Sequence, residues 1–526
     1  MDLLPDDVLA MVMSRLDVED LLACRLVCKR LAGLAQHPDV WRRRWIGVGD
    51  PLSLQLYGPM PWLCQELRLA PCVREIWTAV PLLSAACRHG DLRTTSCAAR
   101  VLAITVRKFG PKHVAKAVQI VNQQVALGRL REVRLTLRAR SFIPPKDAMD
   151  LLFGTLASTP GLEMVSIEGK CGNLGDRTWI PPGTGQRGTI TPSLRTFRCE
   201  MVPRPPEPFC DYMLAGHAAT LEEVHIGYRH MFLSSSASTT LASTSTARLL
   251  AGMPNLRKLS CPLMPGLGRV AACESLRELE LTVQRDTEAN VHGVLELLRS
   301  ALQIRSLHLH FPNRPRGADD DKVDDSEFGV ELISELASTG RSQVQTLSID
   351  VDVEGLYSQT LLVPHLATRL PSLPALRRLV LRVVDPAPVV AAISPLTAPS
   401  LRSIHILDNY THSHMCSHEF LHGRELGVLL SRNPLLHVVV EYSTTGCPKS
   451  EDDEDSDEDS DEEDLYEEKC NACQLNCHKE LEGLNKGEED PKFVGVFTHP
   501  TGQCPCPEYH ASDWIWIHIN DIQPVY

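Results

Sequence analysis

The residues His418-Glu419-Phe420-Leu421-His422 have the spacing of a zinc-peptidase motif. That chemistry needs two histidines one helical turn apart, a glutamate between them as the general base, and a third metal ligand. The extended motif has Gly at position 425 and His at 428, where this chain has Glu425 and Val428. A five-residue match arises easily by chance, and this one falls where a helix is expected after a strand. We therefore predict a non-catalytic protein.

A second group of possible metal ligands lies near the C-terminus. Cysteine thiolates two or three residues apart can reach one tetrahedral zinc ion, and a metal can organise short polar segments of this kind. Against zinc, the second half of the group is Cys-x-Cys rather than Cys-x-x-Cys, and 25 residues separate the halves. Free thiols are the alternative. The candidate ligands of a structural zinc are Cys470, Cys473, Cys477, His478, Cys504 and Cys506, with His510 nearby.

Charge and composition exclude several classes of protein. The 526 residues allow three or more domains, and 43% are hydrophobic, which is enough for a sizeable core. Of the formal charge of −13, 14 acidic residues lie in the stretch 451–468, so the remainder carries a net charge of +1. A near-neutral folded part argues against nucleic-acid binding. No apolar run reaches the roughly 18 residues of a membrane span.

The first residues of the chain and its cysteines indicate in which cellular compartment the protein is expected. The first residues are acidic, unlike a secretion signal, and 18 cysteines are scattered through the sequence. We expect reduced thiols and a cytoplasmic or nuclear protein.

Short amphipathic helices are predicted in the first 45 residues. Pro5 and two acidic residues suit a first turn, and Asp17 can cap a second helix. A third apolar set ends before Pro38. Three helices of this size bury too little surface to be stable alone, so they are expected to need a partner.

These residues resemble an F-box from end to end. The segments 4–9, 16–17, 20–22, 25–31 and 38–41 follow its order and spacing, with Leu31 where many F-boxes have Trp. The resemblance implies docking onto the Skp-type adaptor of a cullin–RING ubiquitin ligase. The residues that it assigns to adaptor binding are Leu4, Pro5, Val8, Leu9, Leu16, Leu21, Leu22, Leu26, Val27, Cys28 and Trp41.

From about residue 130 the template apolar-x-x-apolar-x-apolar recurs in eleven copies. They start 20 to 40 residues apart, with a mean of 30.5, a spacing typical of a solenoid. The alternating end of each copy predicts a short strand, and stacking such strands into a parallel sheet buries a continuous core. The copies begin at Leu130, Leu162, Leu194, Leu221, Leu256, Leu276, Ile304, Val344, Leu376, Leu401 and Leu435.

The repeats resemble a leucine-rich repeat solenoid, with strands inside and helices outside. The Asn that usually follows the strand is present in one copy only, as Asn409, and the steps are irregular. A mixed α/β domain with leucine-rich strands is the alternative. The predicted fold class is α/β, with an F-box followed by a solenoid.

The predicted domains follow from these patterns. They are an F-box at 1–45, a helical linker at 46–129 with helices around 98–106 and 114–121, a solenoid at 130–447, a disordered acidic segment at 448–469 and a Cys/His segment at 470–526. The segments 181–208, 234–246 and 314–327 are predicted to be loops.

Residues between the apolar positions of each strand should face away from the core, on a concave surface. This surface is the predicted binding site for a protein target whose identity the sequence does not give. Its histidines predict pH-sensitive binding. The residues are Glu132, Arg134, Arg198, Glu200, Glu223, His225, Glu278, Glu280, His308, His310, Arg378, Arg382, His405 and His437.

Together these features predict the substrate-recognition subunit of an SCF-type E3 ubiquitin ligase that directs targets to proteasomal degradation. The adaptor, and through it the cullin and RING subunits, are the predicted partners. Catalysis would be positional, because holding a target near activated ubiquitin raises its effective concentration. The alternative is an F-box scaffold or regulator without target turnover.

Overall fold

The computed structural model describes most of the chain as two compact units, formed by residues 1–230 with 237–259 and by 231–236 with 260–526. The described residues are 4–47, 63–80, 92–108, 110–138, 146–170, 191–202, 206–227, 244–284, 287–312, 325–351, 359–383, 385–407, 417–442, 492–500, 504 and 515–519. Among them, no helix is both long enough and apolar enough to cross a membrane.

The first unit begins with four short helices instead of three. They are α1 (Asp6–Met13), α2 (Val18–Val27), α3 (Lys29–Leu34) and α4 (Pro38–Trp41). The predicted cap of α2 is confirmed, since the Asp17 carboxylate accepts a hydrogen bond of 2.8 Å from the Asp20 amide. Leu21 and Trp41 are buried among the helices, and the Trp41 indole donates to the Ala35 carbonyl at 2.6 Å.

Parallel strands follow, in chain order. They are β1 (Trp45–Gly47), β2 (Cys72–Val80), β3 (Ala98–Val106), β4 (Glu132–Arg138), β5 (Met164–Lys170), β6 (Thr196–Val202) and β7 (Glu223–Ile226). The helices between them are α5 (Leu63–Leu69), α6 (Pro111–Ala126), α7 (Lys146–Ser158), α8 (Glu207–His217) and α9 (Thr244–Ala251). Strand β8 (Lys258–Pro262) comes next in the chain.

The prediction of a helical linker at 46–129 is wrong in part. Residues 114–121 do lie on α6, but 98–106 form β3, and β2 precedes it. Strand β3 is mainly apolar on both faces, and short apolar runs of this kind do not distinguish a strand from a buried helix. The predicted loop at 181–208 likewise contains β6, whose backbone pairs with β5 and β7.

The second unit continues with strands in chain order. They are β9 (Glu278–Thr282), β10 (Ser306–Phe311), β11 (Thr346–Val351), β12 (Arg378–Arg382), β13 (Ser403–Ile406), β14 (His437–Tyr442), β15 (Lys492–Phe497) and β16 (Ile515–His518). Strands β9 to β14 are parallel, β15 is antiparallel to β14, and β16 is parallel to β15. The helices are α10 (Glu288–Ser300), α11 (Asp325–Ser338), α12 (Gln359–Arg369), α13 (Ala387–Ala392), α14 (Ser417–His422) and α15 (Arg424–Arg432).

Every copy of the sequence template contains the start of a strand. In all eleven, the strand begins two residues after the first apolar residue of the copy. The alternating positions then lie in the core, as shown by Leu307 and Leu309 in β10, which are fully buried. The period-two pattern therefore predicted these eleven strands correctly, and the chain is an α/β protein with mostly parallel strands.

Candidate functional site

The N-terminal helices expose large apolar side chains to solvent. At the C-terminal end of α2, Leu26 is 89% exposed and Val27 is 70% exposed. Met11 and Val12 of α1 are also exposed. Large exposed apolar groups of this kind mark surfaces that bind a partner.

The residues assigned to adaptor binding divide into three groups. Leu4, Pro5, Leu26, Val27 and Cys28 are exposed, whereas Val8, Leu16 and Leu22 are partly buried. The remaining three, Leu9, Leu21 and Trp41, are buried, which corrects their assignment. Four short helices need a core of their own, and these three side chains form part of it. Met11 and Val12 are exposed as well, although the resemblance to the F-box does not assign them to adaptor binding.

Arg44 connects two of the N-terminal helices through its side chain, a role that no pattern in the sequence indicates. Its guanidinium donates to the carbonyls of Met13 at 2.9 Å, Leu16 at 2.6 Å and Val40 at 3.0 Å, and it lies 5.5 Å from the centre of the Trp41 ring. Burial lowers the pKa of Arg44, partly offset by nearby carboxylates. The side chain thus ties the end of α1 to α4.

The strand that follows Arg44 continues directly into the sheet. Trp45 and Gly47 of β1 lie in register with Glu75 and Trp77 of β2. A β-carbon on Gly47 would lie 2.5 Å from that of Trp77, so only glycine allows this close approach. The helices are therefore attached to the first unit through backbone pairing.

In the first unit, charged side chains form ion pairs both within a strand and between strands. Arg134 of β4 contacts Glu75 of β2 at 3.1 Å and Glu132 of its own strand at 3.3 Å. Two other predicted surface residues, Arg198 and Glu223, are 3.7 Å apart. These contacts make the polar side of the strands a surface of alternating positive and negative charge.

In the second unit, a compact polar cluster spans four strands. The Asp350 carboxylate on β11 lies 3.5 Å from His310 and 4.0 Å from His308 on β10, and 3.7 Å from Arg382 on β12. Arg382 also lies 3.9 Å from Glu441 on β14. Burial alone opposes ionisation, but the hydrogen bond from His310, together with the charges of Arg382 and the histidines, lowers the pKa of Asp350. The cluster thus brings histidine, arginine and carboxylate side chains into close contact.

The polar side of these strands is less open than predicted. Glu278 is exposed, and Arg378, Arg382 and His308 are partly buried, but other predicted surface residues are buried. Adjacent strands lie about 4.8 Å apart, so long side chains on neighbouring strands cover each other. The buried residues are Glu280, His310, His405 and His437, together with His225 in the first unit.

Burial also changes the expected response to pH. It lowers the pKa of His405 to about 4, with a smaller contribution from the positive charge of Arg378. The prediction that histidines on this side respond near neutral pH is therefore wrong for His405. Two members of the cluster, Asp350 and Glu441, were not among the predicted residues. They continue the same alternation, one strand position beyond the template copies.

The structure tests only part of the predicted zinc site. Cys470, Cys473, Cys477, His478 and Cys506 lie outside the described residues, as does His510. Cys504 is described, and its sulfur lies 3.3 Å from Nε2 of His437. That nitrogen in turn lies 3.0 Å from Nε2 of His499, a residue that the sequence did not single out.

The peptidase-like motif lies on α14, in the position expected for a helix after β13. Its second histidine, His422, is buried. The side chains of His418 and Glu419 lie outside the described part of the chain.

Comparison with curated proteins finds no significant match. The family model for F-box-like domains matches residues 1–46, which comprise α1 to α4 and the first two residues of β1. F-box domains are typically non-catalytic modules that bind Skp-type adaptors within ubiquitin ligase complexes. The N-terminal helices of this protein therefore form an F-box-like domain.

Proposed function

We propose that this protein is the substrate-recognition subunit of an SCF-type E3 ubiquitin ligase. The observation that carries the proposal is the F-box-like domain, whose α2 helix exposes Leu26 and Val27. These two side chains are the proposed centre of the surface that binds the Skp-type adaptor. The cullin and RING subunits would then join through the adaptor, and the ligase would act in the cytoplasm or nucleus.

The attachment of the F-box-like domain supports a positional role. Arg44 bonds to α1 and α4, and β1 pairs with β2 immediately after it. A target bound to the first unit would therefore keep a defined orientation to the adaptor. Such an arrangement favours transfer of ubiquitin, because it raises the effective concentration of the target lysine without a new reactive group.

We also propose that the strands and helices after the F-box-like domain are leucine-rich repeats that bind the target through their polar side. The regular start of a strand within each template copy supports this assignment. Glu278 and Arg378 offer opposite charges at the edge of this side in the second unit. Electrostatic complementarity of this kind provides specificity and a fast association rate.

The adaptor surface is tested by Leu26→Glu in the full-length protein. Burying one leucine at an interface contributes about 1.5–3 kcal/mol, so adaptor affinity should fall at least about tenfold. Leu396→Glu is the matched control, because Leu396 is 91% exposed and lies in the second unit. Equal adaptor capture by Leu26→Glu, Leu396→Glu and wild type would remove the ligase proposal.

The target surface is tested by affinity purification with the proteasome blocked. Glu278→Lys and Arg378→Glu should each weaken capture of a trapped target while adaptor binding persists. A target whose half-life lengthens when this protein is depleted supports degradation. An unchanged half-life for every captured partner would instead favour the scaffold or regulatory role.

A further inference from the structure

We propose that His437, His499 and Cys504 bind one structural zinc ion at the end of the second unit. His437 is the first residue of β14, and His499 follows the end of β15 by two residues. Among the described residues, these three form a group whose ligand atoms all lie within 4.8 Å of one another. The proposal does not depend on the ligase function.

The distances between the ligand atoms are close to those of a zinc site. The two Nε2 atoms are 3.0 Å apart, and the Cys504 sulfur is 3.3 Å from Nε2 of His437. With Zn–N of about 2.0–2.1 Å and Zn–S of about 2.3 Å, tetrahedral geometry places two nitrogens about 3.3 Å apart and a nitrogen and sulfur about 3.5 Å apart. Small movements of the side chains would therefore admit the ion.

The second nitrogen of His437 is held in the way that zinc ligands require. Its Nδ1 lies 3.2 Å from the carbonyl oxygen of Arg402. A carbonyl can only accept a hydrogen bond, so Nδ1 carries the proton and the lone pair of Nε2 faces His499 and Cys504. A hydrogen bond of this kind orients the ring and raises its basicity as a metal ligand.

Aromatic rings surround the histidines and limit access of water. The edge of Trp516 on β16 meets the His437 ring with centroids 5.8 Å apart, and Phe497 stacks on His499 at 4.9 Å. His437 is fully buried and His499 nearly so. An apolar shell of this kind strengthens the attraction between a thiolate and a cation.

The ligand types select the metal. One thiolate and two imidazoles suit zinc, whereas magnesium and calcium prefer oxygen ligands. Three protein ligands leave the fourth position for water or another donor. The ion would tie Cys504 and the end of β15 to the beginning of β14, which is a structural role. It differs from the zinc site predicted from sequence, because its histidines are His437 and His499 and only Cys504 is shared.

The test is the zinc content of the full-length protein after removal of loosely bound metal. Cys504→Ser and His499→Gln should each lose one zinc ion per chain relative to wild type. Cys24→Ser and His365→Gln are the matched controls, since these partly buried residues lie far along the chain on α2 and α12, and they should keep it. Circular dichroism and adaptor capture establish that each variant is folded.

A Cys470→Ser, Cys473→Ser variant distinguishes the two zinc sites. The proposal expects it to keep the ion that Cys504→Ser and His499→Gln lose. Cobalt provides a second readout on the wild-type protein: a thiolate-to-cobalt absorption band should form, and it should be absent from Cys504→Ser. Zinc retained in full by both Cys504→Ser and His499→Gln, or a cobalt band unchanged by Cys504→Ser, would overturn the proposal.

Discussion

Replacement of Arg44 by alanine should loosen the F-box-like domain locally. The guanidinium donates three hydrogen bonds to backbone carbonyls, two of them near the C-terminal end of α1. Hydrogen bonds from a charged donor contribute about 1.5–3 kcal/mol each when fully buried. Arg44 is only about half buried, so we expect a total loss of about 3 kcal/mol rather than the full sum.

A loss of about 3 kcal/mol raises the equilibrium constant for local opening by about a hundredfold. Hydrogen–deuterium exchange of the peptide spanning residues 4–16 measures this opening directly, because it reports local rather than global unfolding. Arg43→Ala is the control, since Arg43 is the exposed neighbour in the sequence. Arg44→Lys should be intermediate, because one ammonium cannot serve three carbonyls with the geometry of the guanidinium.

One result would refute the claim that the Arg44 hydrogen bonds stabilise the packing of the N-terminal helices. If exchange in residues 4–16 changes less than about threefold in Arg44→Ala, and no more than in Arg43→Ala, then the three hydrogen bonds do not stabilise the domain. Faster exchange limited to Arg44→Ala and its lysine variant supports it.

Substitution of three other residues should also have measurable effects. His405→Gln should reduce the loss of stability that occurs as the pH falls from 6.5 to 4. In the wild type, His405 takes up a proton below pH 6.5 when the protein is unfolded but has a pKa of about 4 when it is folded, so acid favours the unfolded state by about 3 kcal/mol. Melting curves at several pH values would detect this difference. Asp350→Asn should lower the free energy of unfolding by about 1–3 kcal/mol, since it removes the carboxylate that contacts His310 and Arg382. An unchanged denaturation midpoint would show that the cluster does not stabilise the fold. Gly47→Ala should speed exchange in β1, whereas Gly33→Ala, where a methyl group meets open space, should not.

Most elements of the sheet could be predicted because they depend on local periodicity. The apolar alternation in β10 is sufficient to place Leu307 and Leu309 in the core and His308 and His310 on the other side. The same reasoning failed for β3, which is apolar on both faces. Only its pairing with β2 and β4 makes it a strand, and those partners lie distant in the sequence.

The F-box-like domain shows a similar division. Its residue types and spacing alone indicated the family, and the match to residues 1–46 agrees. Which apolar residues are available to a partner depended on how the four helices pack. Leu9 and Leu26 have equal hydrophobicity, yet one is buried and the other exposed, because only the arrangement of the helices decides which side faces solvent.

Sites that join distant segments required the tertiary structure. His437 and His499 are 62 positions apart, and no spacing rule links them. They meet because β15 runs antiparallel to β14, which brings the end of one strand beside the beginning of the other. Local patterns in the sequence determined the eleven strands of the template copies and the F-box-like helices. The pairing of distant strands decided which polar side chains meet, because contact between them depends on backbone register.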